Sequence, residues 1–446
     1  MTDEWQSIRS RVLAALILGL PGLPGAFLAR ADVITDWNAI MINSLRSDTT
    51  APPLGARNLA ILHTAIYDAV NAIDRRHTPY FVDALAPAEA SPVAAAAAAA
   101  YGVMNGLFPG QGAIFENAFT ISLASVPAGP AREAGIALGL STANTILNWR
   151  SADGASTSVP YIPSDEPGAW RRTPPFFRPE LLPQWGYVTP FAMDDPAQFR
   201  PAGPPSLTSA RYTEDFNMVK ELGALNSSTR TAEQTEIARF WADFSYTESP
   251  PGHWNSITRD VATRQGNSLE ENARLFALLN IAMADAGIVT WDAKYRYNFW
   301  RPVTAIREAG RDGNPDTVAD PEWTPLLVTP NFPEYTSGHS TFSAAAAEIL
   351  REFYGTDAIH FTAQSDTLPG VTRSYESLHA AVDEIGLSRL YGGIHFLSGD
   401  LDGIASGEAL GKFVAENFLL PVPEPASVAL LAGGLAVLGF ARRRRS

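Results

Sequence analysis

Apolar positions recur with a helical period along most of this chain. Between residues 56 and 76, Leu59, Leu62, Ile66, Ala69, Val70 and Ile73 fall on one helical stripe. The alanine run 94–100 leads into Tyr101, Val103 and Leu107, and predicts a second helix built from the best helix formers. A third is predicted over 131–149, with Ile136, Leu140, Ala143 and Ile146 on its apolar side. The pattern breaks over 151–208, where proline and aromatic residues dominate, as in Arg171-Arg172-Thr173-Pro174-Pro175-Phe176-Phe177. That stretch is too long for an ordinary connection and predicts a segment that wraps the surface or lines a channel mouth. Helical spacing resumes near Ser209. Thr231-Ala232-Glu233-Gln234 is a helix start running towards Trp241, and Asn267 or Ser268 opens another with Leu275, Leu278, Leu279, Ala282 and Ala286 on its apolar side. Two more are predicted over 340–353 and 374–390, with 360–370 as a loop between them. No long alternating run points to a sheet, and no short-period repeat is present. The expected architecture is all-α: two packed helical bundles, 32–150 and 209–420, joined by the irregular 151–208 segment.

Composition narrows the function classes. The 446 residues are 46% hydrophobic, enough for a large core, and carry a net charge of -14. A nucleic-acid surface needs a basic footprint, so no nucleic-acid partner is expected. Any anion site must be a local positive cluster set against the overall charge. With no cysteine in the chain, disulfides, thiolate metal sites and a cysteine nucleophile are excluded.

Both ends read as processing signals. Arg9 and Arg11 precede an apolar run over 12–28, and Ala29-Arg30-Ala31 fits a small-x-small cleavage site, so 1–31 reads as a secretory signal peptide with a mature start near Asp32. At the other end, Val422-Pro423-Glu424-Pro425 is followed by a mostly apolar stretch over 426–441 and then by Arg442 to Arg445. That stretch is shorter than the roughly 20 residues of a full bilayer span. Segment 421–446 resembles the PEP-CTERM sorting tail. The resemblance implies transient membrane anchoring, processing by a sorting enzyme, and delivery to the cell surface or outside it.

Three segments concentrate unusual chemistry. Lys294 and Arg301, seven residues apart, are expected to share one helix face. Ser337-Gly338-His339 enters the alanine-rich helix, where the first N–H groups lack intrahelical partners and Gly338 permits close backbone approach. Arg389 and His395 flank Gly392-Gly393, which lets the chain turn tightly and bring the two to one point. Taken singly, each segment is as well explained by a solvated face, a helix cap or an ion pair. Together, three cationic donors, a hydroxyl, a helix start and two histidines suit a tetrahedral oxyanion.

These segments resemble the three signature stretches of the type 2 phosphatidic acid phosphatase superfamily, and within it the vanadium-dependent haloperoxidases. Asp285 to Trp291 and Asn331-Phe332-Pro333-Glu334-Tyr335 extend the likeness, which covers roughly 209–415, and Leu62-His63 to Ala69 resembles the helical half of bacterial members. The resemblance implies a vanadate cofactor bound through His395, with Lys294, Arg301, Ser337, Gly338 and Arg389 on its oxygens. His339 is implied as the acid–base residue, and Lys294 as the group that polarises peroxide. The implied reaction joins hydrogen peroxide and a halide ion into a hypohalous species, with an organic acceptor as an optional further partner. Trp291 and Phe332 correspond to aromatic residues lining the halide side of the pocket in the fungal branch; core packing explains them equally well.

The same residues suit a metal-independent acid phosphatase, with His395 as nucleophile and His339 as general acid. Two departures weigh on that alternative. The phosphatase pattern has Asp four residues after the last histidine, where this chain has Gly399 with Asp400 one later, so the carboxylate orienting a histidine is left open. A lipid phosphatase would also bury its site among membrane spans, and no long apolar stretch is expected in the central chain. Thr336 replaces the usual proline before Ser337. His379 is expected on a helix facing elsewhere, and His63, His77, His253 and His360 carry no assignment. A non-catalytic surface protein retaining an inherited pocket is a third reading. Subunit number is not legible.

Overall fold

The computed structural model describes residues 32–423; the predicted signal peptide and the sorting tail from residue 424 onwards lie outside the described residues. Those described form thirteen α-helices and one small antiparallel sheet. The helices are α1 (Val33–Ser47), α2 (Pro52–Asp74), α3 (Pro92–Leu107), α4 (Gly112–Leu123), α5 (Pro130–Arg150), α6 (Ala210–Leu222), α7 (Ala232–Phe240), α8 (Ser249–Gln265), α9 (Leu269–Tyr297), α10 (Pro302–Arg307), α11 (Gly338–Tyr354), α12 (Leu378–Tyr391) and α13 (Leu397–Asn417). The all-α expectation holds. The stretch read as a loop over 360–370 instead opens with β1 (Phe361–Gln364), which pairs with β2 (Thr372–Tyr375) in the register Phe361 to Tyr375. The helix expected from 374 therefore starts at Leu378, capped by Ser377. Four residues per strand are too few for an alternating pattern to stand out.

The helix α9 is the axis of the molecule. Ser268 and Glu271 form a capping box at its start, and it is buried on nearly all sides from Asn272 to Lys294. By length and composition it could cross a membrane, yet it is packed inside the fold. The expectation that the central chain holds no long apolar stretch is thus corrected. α9 packs against α2 on one side and α11 on the other, so it reaches both the N-terminal helices and the site.

Small residues set the closest helix contacts. On α5, a Cβ at Gly139 would lie 2.3 Å from the Ala95 carbonyl oxygen of the alanine-rich α3. On α13, a Cβ at Gly407 would lie 2.4 Å from the Thr341 carbonyl oxygen of α11. Backbone approaches backbone at both seams, which increases dispersion contact per unit length.

Buried carboxylates pin the irregular segments. Asp285 of α9 accepts N–H bonds from Phe191, Ala192 and Met193 at 2.7, 2.7 and 2.8 Å. Asp68 of α2 does the same for Tyr80, Phe81 and Val82. Burial raises both to about 6, with the three N–H groups opposing it in each case. Held in this way, the 151–208 segment reaches the site's mouth, where Phe176, Arg178 and Leu181 line the cavity.

Candidate active site

The predicted residues converge from four places. Trp291 and Lys294 come from the last turns of α9. That helix stops at Tyr297 because Asn298 adopts a left-handed conformation (φ 50°), and Arg301 caps the separate helix α10. The two cations therefore do not share a helix face, as the spacing suggested; a chain reversal brings them together. Ser337 caps α11, accepting the Ser340 N–H, and puts Gly338 and His339 in the first turn. Arg389 ends α12, and His395 follows after Gly393, whose φ of +73° supplies the tight turn. Gly392 packs closely instead: a Cβ there would lie 2.7 Å from Leu327 Cδ1, and that side chain would have to shift.

A cavity of about 360 Å³ opens over this convergence, lined by Trp291, Phe332, Gly338, His339, Arg389 and His395 among others. Lys294, Arg301 and Ser337 sit behind that lining, all fully buried. Trp291 and Phe332 stand with ring centroids 4.9 Å apart, and the Lys294 ammonium and Arg301 guanidinium lie 5.0 and 4.9 Å from the Phe332 ring. Trp291 also donates its indole N–H to the Leu181 carbonyl. The pair thus has packing roles and a cavity face at once.

His395 is fixed from both sides. Its Nε2 lies 3.0 Å from Arg301 Nη1, and its Nδ1 lies 2.8 Å from Glu334 Oε1. A guanidinium only donates, so Nε2 carries the lone pair, the proton is on Nδ1, and Glu334 accepts it. Glu334 is wholly buried and also accepts the Phe396 N–H. Burial lifts its carboxyl to about 7, against the pull of Arg301 and Lys294. This glutamate was not assigned a role from sequence, although it lies in the Asn331–Tyr335 stretch; a lone carboxylate between Pro333 and Tyr335 carries no spacing signal. Gly399 explains the arrangement. A Cβ at that position would lie 2.5 Å from Glu334 Oε1, so the missing side chain is the space the glutamate fills. Asp400, one residue later, serves a different group: its Oδ1 accepts from Ser340 Oγ at 3.1 Å and steadies the start of α11.

The cations are crowded and dehydrated. Burial lowers Arg301 to about 9, with Glu334 opposing and Arg389 reinforcing the shift, and lowers Arg389 to about 10. Lys294 is pushed well down by burial and by Arg301. Its ammonium donates to the carbonyls of Pro333, Glu334 and Thr336, so in this state it tethers the stretch leading into Ser337. Arg301 also donates to the Phe332 and Ile394 carbonyls, and Arg389 Nη1 to that of Trp241. Two guanidinium nitrogens, Arg301 Nη2 and Arg389 Nε, and the ring nitrogen His339 Nε2 are shielded and without partners, as are the carboxylate oxygens Glu334 Oε2 and Asp400 Oδ2 behind them.

The remaining histidines divide. His253, on α8, backs the site: its Nδ1 lies 3.2 Å from Asp243, and its ring lies 4.6 Å from that of Trp241. Burial alone would lower it, but Asp243 and Glu248 bring it up to about 9. His63 is a core residue, 2.8 Å from Asn38 Nδ2 and stacked on Phe276, and burial holds it down near 3. His379 faces away from the cavity towards Asp357, as expected.

Known proteins share this plan. Residues 274–421 match the family described as the VCPO second helical-bundle domain. Residues 421–445 match the PEP-CTERM protein-sorting motif, which marks the chain for export and C-terminal processing. The vanadium chloroperoxidase of Curvularia inaequalis is 29% identical over 402 residues, covering 71% of this chain; the match spans 65% of that relative's length. The crystal structure of a bacterial vanadium-dependent iodoperoxidase superposes with a TM-score of 0.75 at 28% identity, over 88% of this chain and 96% of that one. An apo bacterial vanadium-dependent chloroperoxidase shares the fold, with a TM-score of 0.68 at 18% identity over 82% and 92% of the two chains. In fold and in sequence, the chain is similar to the vanadium-dependent haloperoxidases, and its residues 274–421 match their second helical-bundle domain.

Proposed function

We propose that this protein is a vanadium-dependent haloperoxidase, oxidising a halide ion with hydrogen peroxide to a hypohalous species outside the cytoplasm. The observation that carries the reading is the set of unpartnered, shielded atoms: Arg301 Nη2, Arg389 Nε and His339 Nε2. Two are fixed donors, and a buried donor without a partner costs about 1–3 kcal/mol. An oxyanion would relieve that cost and the mutual repulsion of the cations. Vanadate therefore fits the residues present.

His395 would bind the metal through Nε2, whose lone pair is kept available by the Nδ1–H bond to Glu334. Arg301, Arg389, Ser337 and the Gly338 N–H would hold the oxygens. Lys294 would add its charge from behind the lining and hold the Pro333–Thr336 carbonyls in place. Bound vanadate supplies electrophilic activation of peroxide without changing its own oxidation state. Halide oxidation consumes one proton per turnover, and His339 Nε2 is the free ring nitrogen that can hold and deliver it. Burial and Arg389 push His339 well down, so it is neutral and ready to accept a proton when an anion enters. Trp291 and Phe332 would form the halide side. The C-terminal tail would anchor the chain transiently in a membrane until a sorting enzyme processes it.

The test is a halide series, chloride to iodide, on the vanadate-saturated protein with hydrogen peroxide, beside phosphate release from a simple ester without vanadate. Turnover of at least one halide is expected. Ester hydrolysis lost on His395→Ala, with no halide oxidised, would favour the phosphatase; tight vanadate binding without either activity would favour a retained, inactive pocket.

A further inference from the structure

The cavity is far larger than its small reactants need. A water molecule's share of liquid is roughly 30 Å³, and halide and peroxide are on that order, against about 360 Å³ available. That volume falls in the range of organic-ligand pockets. Its outer wall is built from three separate segments. Phe176, from the irregular segment, is 66% exposed, and Tyr246, from the α7–α8 connection, is 62% exposed. Phe244 and Tyr246 stack with centroids 5.5 Å apart, and Val328 adds a third exposed apolar side chain. Large apolar side chains gathered at one exposed mouth mark a binding surface more than a packing residue.

One cation completes this wall. Arg178 lines the cavity and is exposed, and among the described residues its side chain makes one long hydrogen bond, 3.5 Å, to the Thr329 carbonyl. It makes no ion pair among the described residues. The acid on the same wall, Asp243, is engaged by His253 and is not available to neutralise it.

We propose that the mouth is a binding subsite for the organic acceptor: an electron-rich aromatic ring carrying an anionic group, with the ring against Phe176, Phe244 and Tyr246 and the anion on Arg178. The inference rests on the proposed haloperoxidase reading and names its acceptor class. Halogen transfer then takes place before the hypohalous acid escapes. A π pair of the ring forms the carbon–halogen bond, the halogen–oxygen bond breaks with its electrons going to oxygen, and the ring proton joins that hydroxide as water. No other co-reactant is needed.

The experiment uses 4-hydroxyphenylacetate and its neutral counterpart 4-methylphenol. Both are offered together to the full vanadate-loaded protein with peroxide and bromide, and the product ratio is compared with that given by hypobromous acid alone. We expect a shift of about tenfold towards the anionic acceptor, the size of one charge-assisted hydrogen bond. Arg178→Gln should return the ratio to the free-reagent value and leave iodide oxidation without organic acceptor unchanged. Calorimetry should show saturable binding of 4-hydroxyphenylacetate to the wild-type protein, weakened in Arg178→Gln. A wild-type ratio equal to that of free hypobromous acid, or no saturable binding, overturns the subsite. Binding that persists in a protein oxidising no halide supports the subsite as a site for this ligand class and overturns the haloperoxidase reading instead.

Discussion

His395 and His339 share a cavity, and burial depresses the basicity of both, yet their surroundings treat the ring nitrogens in opposite ways. His395 has a partner on each nitrogen, Arg301 on Nε2 and Glu334 on Nδ1, so its tautomer and orientation are set before any ligand arrives. His339 stands in the first turn of α11, where Nε2 has no partner. A metal ligand benefits from a locked ring and a directed lone pair. A group that moves a proton needs a nitrogen that can exist both with and without it. On the proposed reading, one constellation would hold a preorganised ligand and an uncommitted acid–base group, with the buried glutamate accounting for much of the difference between them.

The sharpest way to break this contrast is to remove each ring in turn. His395→Ala should lose vanadate affinity by more than the roughly 100-fold upper range seen for supporting residues, and halide turnover with it. His339→Ala should keep affinity within a few-fold while turnover falls about 10²–10⁴-fold. Equilibrium dialysis against vanadate and steady-state iodide oxidation separate the two quantities. Equal losses of affinity in both variants would mean that the two histidines are not divided in this way.

A smaller effect, but a closer test of the arrangement, concerns Glu334 and Gly399. Glu334→Ala should weaken vanadate binding about 10–100-fold, the range for a residue orienting a ligating histidine. Gly399→Ala should approach the same loss without touching the glutamate, because its Cβ would intrude to 2.5 Å from Oε1. Combining Glu334→Ala with Gly399→Asp puts a carboxylate four residues after His395 in the space vacated, and should recover part of the affinity. A merely structural role for Glu334 predicts no such recovery. If Gly399→Ala binds vanadate as the wild type does, the carboxylate has another resting place and the account of Gly399 fails.

What the sequence made legible follows from locality. The convergence of Lys294, Arg301, Ser337, Gly338, His339, Arg389 and His395 was readable because three short motifs keep their spacing whatever the fold around them. The contact of Glu334 with His395 was not, since its place depends on Gly399, 65 positions away, having no side chain; neither residue reveals that alone. The reading of Lys294 and Arg301 as one helix face failed because Asn298 ends α9 in a left-handed turn, a local event that periodicity does not register. The central helices α3 and α9 were legible from apolar composition. α13 was not, because Gly399, Gly403, Gly407 and Gly411 lower helix propensity while marking, at four-residue spacing, the face that meets α11 and Glu334.

The smallest expected effect tests the third kind of group in the pocket, a backbone donor. Gly338 is the first residue of α11 and lines the cavity. A Cβ there would meet Phe342 and Trp291 at 3.7 Å and Thr290 at 3.9 Å, all ordinary contacts, so nothing in the protein itself requires glycine. On the proposed reading, the reason for it is the approach of a ligand to the Gly338 N–H, which helix geometry leaves without an intrahelical partner. Gly338→Ala should therefore melt within a degree or two of the wild type, or slightly above it, since alanine loses less backbone entropy on folding. Its vanadate affinity should fall by roughly one hydrogen bond, about 1 kcal/mol or several-fold. A melting temperature lowered by many degrees would show that the glycine serves packing, and unchanged affinity would take the backbone donor out of the oxyanion cradle, leaving it to the side chains alone.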